Sequence, residues 1–208
     1  NWCSTSVNMC YLNIMKLFKQ ADVTGGYYLE NVRELVSEFR VDADGTFRFM
    51  LIYGALDRYG SGQWELNGDR LNFKSRPWPG TDFALIQTGK LQDNGIFIRI
   101  TDSNKNIVRY VAGSLQRGRQ GSWQGASNDG LMRFPSQELA DIALISELCP
   151  ERISLVSVPD PTDNYFQFRF EPWTLEYFFK DFSLQVKKDG LYGKHPMLQG
   201  DNYFYRKR

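Results

Sequence analysis

A single histidine limits the chemistry open to this chain of 208 residues. His195 stands in YGKHPM, and one imidazole cannot build a histidine metal site. It could act as the base of a nucleophilic triad, but no Gly-x-Ser-x-Gly elbow accompanies it. A rim or loop histidine is the plainer reading. Carboxylates come next. Glu171, Glu176 and Asp181 lie along EPWTLEYFFKD, and two facing carboxylates are what glycoside hydrolysis needs. The sequence does not show which of them face each other, and scattered surface charge is the default reading. Asp42 and Asp44 precede Gly45 in DADG, which hints at calcium. A calcium loop needs a third ligand position and a distal glutamate, and neither is in place. The cysteines are Cys3, Cys10 and Cys149; no Cys-x-x-Cys occurs, and an odd count allows at most one intrachain disulfide. Phosphate loops of the Walker type are absent, and GSGQWE carries only two glycines of a dinucleotide fingerprint. The expectation is a non-enzyme with no catalytic residue, no metal and no cofactor.

What remains is an aromatic load of 15%. Aromatic side chains bring large buried area, so core packing accounts for most of them. A subset could line a barrel mouth or form a flat platform for a ligand. Tyr53, Trp64, Phe168 and Trp173 are the candidate ligand-binding residues, with core packing as the alternative at each.

The elements that must position these residues are mostly strands. Asp44-Gly45 separates two alternating runs and is a strong hairpin signal. On the second run Phe47, Phe49 and Leu51 share one face, while Arg48, Met50 and Ile52 share the other. QWEL and RLNF flank Asn67-Gly68-Asp69, where Asn-Gly supplies the positive φ angles of a tight turn. SRPWPG, with two prolines around Trp78, forbids a central strand. GIFIRITDSNKNIVRYVAGSL reads as a pair of strands around a polar turn at residues 102–106. ADIALI is a strand or a helical turn. SVPDPTDN is a Pro/Asp-rich boundary, YFQFRFEP alternates aromatic with polar, TLEYFFKDFSLQV continues as strand, and KKDG turns into a last pair. At residues 7–18, Val7, Tyr11, Ile14, Met15 and Phe18 have helical spacing. That segment is too polar for a signal-peptide core. The chain starts with Asn1 rather than Met, and Met15-Lys16 offers another start.

The organisation follows from a change of style along the chain. Residues 1–24 form an N-terminal segment with a short helix. Residues 25–87 plus 161–208 form one β domain, and residues 88–160 an inserted β unit. The alternative is two consecutive domains divided near residue 80 or 160. The fold class is all-β: a barrel or half-barrel with an inserted or adjoining sandwich-like unit.

Two resemblances sharpen this reading. GGYYLENV, FRVDADGTFRFMLIYG and GSGQWELNGDRLNF together resemble the small bacterial lipocalin-like barrels. The matching residues are Gly26-Tyr27-Tyr28, Asp44-Gly45 and Gly62-Gln63-Trp64. IRITDSNKNIVRYVAGSL with GASNDGLMRF is similar to transthyretin-like or carboxypeptidase-regulatory-like sandwiches, on Asp129-Gly130 and Phe134. Both resemblances imply binding or structural roles, and neither transfers a functional residue. Such modules are often exported, which favours the cell envelope or secretion while leaving the compartment open.

Charge narrows the partners. Lys plus Arg number 25 and Asp plus Glu 24, so no basic excess draws in nucleic acid. No apolar run reaches the roughly 20 residues of a membrane-spanning helix. The leading expectation is a small apolar ligand held inside the barrel. The alternative is a module that docks a protein partner through a sheet edge or through the SRPWPG and VPDPTD loops.

Overall fold

The computed structural model describes residues 19–54, 56–115 and 122–208. The helical spacing at residues 7–18 falls outside them. A single helical turn, α1 (Gln20–Val23), leads into the sheet, with Val23 fully buried.

Five strands follow in a meander: β1 (Gly25–Leu29), β2 (Leu35–Val41), β3 (Thr46–Tyr53), β4 (Leu56–Asn67) and β5 (Arg70–Lys74). Their turns are those the sequence announces. Gly45 (φ 87°) closes the β2–β3 hairpin, and Gly68 (φ 63°) closes β4–β5 with Asn67 opposite Arg70. The period of two puts Phe39, Phe47, Phe49, Leu51, Leu71 and Phe73 inside. Three strands at the far end of the chain, β14 (Phe182–Lys187), β15 (Gly190–Gly193) and β16 (Tyr203–Lys207), complete the ring. The result is a closed barrel of eight antiparallel strands in the order β1-β16-β15-β14-β5-β4-β3-β2. Closure, rather than a half-barrel, removes every sheet edge from this unit.

The intervening chain builds two four-stranded sheets. Its strands are β6 (Phe83–Gly89), β7 (Ile96–Thr101), β8 (Val111–Ser114), β9 (Gln124–Gly125), β10 (Leu131–Phe134), β11 (Asp141–Ser146), β12 (Ser154–Ser157) and β13 (Tyr165–Phe170). The sheets run β10-β7-β13-β6 and β12-β11-β8-β9, and share a core of Ile98, Ile100, Met132, Leu144, Phe166 and Phe168. β6 and β13 pair with each other here, so these sheets span residues 83–170 and the barrel takes no strand from YFQFRF. The stretch expected as a strand pair around residues 102–106 divides instead. A 3-10 turn at Val108–Tyr110 sends β8 into the second sheet while β7 stays in the first. ADIALI is strand β11.

TLEYFFKD departs from the strand expected of it. Its carbonyls are taken by side chains. Arg58 donates to Leu175 O (3.0 Å), Arg152 to Thr174 O (2.5 Å) and Glu176 O (2.6 Å), and Cys149 Sγ to Thr174 O (2.7 Å). With its acceptors engaged, this segment keeps one bridge, to Tyr59, and the strand begins only at Phe182. Gly60 lets it lie against β4: a Cβ there would stand 2.7 Å from the Phe179 ring. Gly62 does the same for the end of β5, since a Cβ there would stand 2.1 Å from Lys74 O.

The outside of the barrel carries Arg40, Arg48, Glu65, Lys74 and Arg206, while its inside is apolar. No helix among the described residues is long and apolar enough to cross a membrane.

Candidate binding groove

The interior of the barrel is occupied by the protein itself. Phe179, 2% exposed, enters from the segment before β14. Its ring centroid lies 5.7 Å from Phe39, 5.2 Å from Phe47, 5.3 Å from Phe49, 4.8 Å from Tyr177 and 5.3 Å from Phe182. These are edge-to-face contacts at the separations aromatic pairs prefer. Among the buried rings nearby are Tyr27 and Tyr205. Burial raises the Tyr27 hydroxyl to about 12 and pushes Tyr205 up further.

The four residues singled out from sequence are dispersed. Tyr53 ends β3 and is 54% exposed. Trp64 faces the barrel interior, and its Nε1 donates to Asp42 O (2.9 Å), which ties β4 to the β2–β3 turn. Phe168 is fully buried between the two sheets, away from the barrel core. Trp173 donates to Thr81 O (2.9 Å) and packs against Arg76. No cavity brings the four together.

A large groove lies along the barrel wall, and its lining takes in Phe73, Tyr177, Phe179 and Phe182 beside the outward side chains. It has a volume of about 1210 Å³ and runs along β4 and β5. Trp64 and Phe73 point inward, so alternation turns their neighbours Gln63, Glu65, Asn72 and Lys74 outward into it. Its other wall is Arg76, Pro77 and Trp78 from the SRPWPG break, with Phe178 and Lys180 before β14 and Arg152 from the turn before β12. Trp64, the one sequence-derived candidate at this site, supports the floor.

A ladder of guanidinium groups and rings stiffens that wall. Phe178 is flanked by Arg76 and Arg152, each 5.1 Å from its centroid. Beyond them Arg76 covers Trp173 at 5.7 Å and Arg152 covers Trp78 at 5.8 Å. Arg152 is a buried strut. Its Nε donates to Asp82 Oδ2 (2.8 Å), and its other two nitrogens hold carbonyls. Trp78 Nε1 also donates to Asp82 (3.0 Å). Burial pushes the Asp82 carboxyl up, against the pull of Arg152. Arg58, 1% exposed, reaches from β4 to Leu148 O (2.9 Å) and Glu151 (2.6 Å). These arginines fasten the barrel to the two sheets and hold the groove open between them.

The groups that could do chemistry are used structurally. Met197 N and Leu198 N donate to His195 Nδ1 at 3.0 and 3.1 Å. The ring proton therefore sits on Nε2 and points at Ser37 Oγ, 3.2 Å away. An imidazole in this tautomer cannot take the serine proton. Burial lowers its pKa to about 4. Cys149 is buried against Thr174 O, and burial pushes its thiol up to about 12. Glu176 accepts from Arg76 (2.6 Å), and Asp181 is exposed. Asp44 accepts from Thr46 N and Oγ1 as a plain turn residue, which holds its carboxyl below the usual range. Among the described residues, no three His, Cys, Asp or Glu side chains form a group able to hold a metal ion. The SVPDPTDN loop is closed by Asp160 on Thr162 and by Asn164, which holds the main chain of Leu91, Asp93 and Gly95.

Comparison with protein-family models, with curated proteins and with solved structures finds no match for the chain.

Proposed function

We propose that this is a non-catalytic binding protein whose ligand lies in the outer groove beside β4 and β5 rather than inside the barrel. The observation that carries this reading is the contrast between a lumen filled by Phe179 and a groove of about 1210 Å³ outside it. A groove this large accepts a drug-sized molecule, for which pockets run at roughly 300–1,000 Å³. Trp78 and Phe178 offer ring faces and edges for an apolar body. Gln63, Asn72 and Lys74 stand opposite with donors and acceptors for its polar groups. The ligand class is a small amphipathic molecule.

The neutral dye N-phenyl-1-naphthylamine tests the location. On an isotope-labelled protein it should shift the amide signals of Gln63, Lys74 and Phe178 and leave Phe39 and Leu184 unmoved. Gln63→Trp, at an exposed outward position, should fill the groove and abolish the shifts. Shifts centred on Phe39 and Leu184 would place the ligand in the barrel and overturn the reading. Native mass spectrometry before and after organic extraction then identifies any ligand that co-purifies.

A further inference from the structure

The β5–β14 ladder extends past its last regular pair. Phe182 stands opposite Phe73, and Ser75 N donates to Phe179 O (2.9 Å). Between them Asp181, at φ 51°, is the one extra residue. This register sets Lys74 opposite both Lys180 and Asp181 and sets Arg76 beside Phe178; the Arg76 guanidinium lies 5.1 Å from the Phe178 centroid. All five line the groove. Three cations thus occupy adjacent outward positions on one wall. Like charges placed opposite each other across a ladder destabilise it, so sequence economy alone does not explain the pair.

Arg76 is paired with Glu176 (2.6 Å), and Glu151 with Arg58 (2.6 Å). Glu65, opposite Asn72, and Asp181, in the bulge, line the groove as well, but neither forms an ion pair with a lysine. Neither lysine has a carboxylate within 4.0 Å among the described residues. Arg152 has no share in this, because all three of its nitrogens are engaged by Asp82, Thr174 and Glu176. Arg76 differs: Glu176 holds one nitrogen, and the side chain is 49% exposed. Its rings and its ion pair fix the guanidinium in place, so little freedom is lost when it meets a second acceptor.

We propose that Lys74, Lys180 and Arg76 form an anion subsite of the groove, and that the ligand carries an acidic group on an apolar or aromatic body. This rests on the groove being the binding site. The acidic group would sit between the two lysines, with the body against Phe178 and Trp78. An anion there offsets the repulsion that the empty wall carries.

Two dyes with the same body separate the claims: 8-anilinonaphthalene-1-sulfonate and its uncharged parent N-phenyl-1-naphthylamine. Affinities are read by fluorescence at low salt and sites by amide shifts. The sulfonate should bind about tenfold more tightly, and added salt should erode the difference. Lys74→Gln with Lys180→Gln, both at exposed positions, should remove the difference between the two dyes. Equal binding of both dyes in the groove would overturn the anion subsite and leave the groove standing. So would a sulfonate preference that survives the double variant. Failure of both dyes to shift Gln63, Lys74 and Phe178 would overturn the groove reading as well.

Discussion

Replacing Phe179 by alanine is the severest test of a filled barrel. The side chain is 2% exposed, and five rings lie within 5.7 Å of its centroid. Its carbonyl still accepts from Ser75 N in the variant, so the loss belongs to the ring. Phenylalanine-to-alanine changes in cores cost about 3–5 kcal/mol. The rings around Phe179 come from β2, β3 and the segment at 177–182, which cannot all move inward at once. The cost should therefore fall near the upper end, about 5 kcal/mol, or roughly 10–20 °C in Tm for a chain of this size. Urea unfolding followed at the amides of Leu71 and Leu184 reads the barrel separately from the two sheets. The opened lumen should also admit benzene, which would raise the Tm of the variant and not that of the parent. A loss below about 1.5 kcal/mol, or no response to benzene, would mean that the ring is not what fills the barrel.

Protonation of His195 gives a second prediction. Its folded pKa is lowered to about 4 from 6.5, so between those values the unfolded chain takes up a proton that the folded chain does not. Stability should be unaffected above pH 6.5 and fall on acidification, by about 3 kcal/mol near pH 4. Because the chain has one histidine, the difference in denaturant midpoint between parent and His195→Asn should carry this slope, and a difference that stays flat with pH would refute the assignment. Arg152→Met should cost about 3–5 kcal/mol by leaving Asp82 buried without its cation; adding Asp82→Asn should recover part of it, and a cycle without such recovery would argue against the pair. Gly62→Ala should abolish folding or cost more than about 3 kcal/mol, since its Cβ would meet main chain at 2.1 Å; near-native stability there would contradict the packing of β4 on the end of β5.

What could be read from the chain was local. Asp44-Gly45 and Asn67-Gly68 each demand a positive φ, and each closes the hairpin it announced. Alternation at residues 46–53 marked which side chains face inward, and the structure buries Phe47, Phe49 and Leu51 and exposes Arg48, Met50 and Ile52. Alternation does not say which sheet a strand joins. YFQFRF has the same period as the barrel strands but pairs with Phe83–Gly89 and Ile96–Thr101. TLEYFFKD failed for a different reason. Its propensity is for strand, yet Arg58, Arg152 and Cys149 claim its carbonyls from 22 to 118 residues away in the chain. Partners so distant leave no trace in a local pattern.

The same distance hid the groove. Trp78 stood out as a strand breaker between prolines, and with Arg76 as part of a loop that could dock a protein partner; Lys74 and Lys180 did not stand out at all. Each is ordinary alone. They acquire meaning through one register, Ser75 against Phe179, which folds residues 74–76 onto residues 178–180 with Asp181 as the extra residue. The segment that makes this register also delivers Phe179 into the lumen. Its alternation sends residues 177 and 179 inward and residues 178 and 180 outward, so filling the barrel and building the groove wall are one structural act. The coupling explains why a barrel whose form suggests an internal ligand has its room outside. A substitution that shifted this segment by one residue would exchange Phe179 for Lys180 at the centre of the barrel. Removing an ionised ammonium from water without a partner costs far more than any ring contact returns. The register is thereby held against slippage, and the positions of Lys74, Lys180 and Arg76 are held with it.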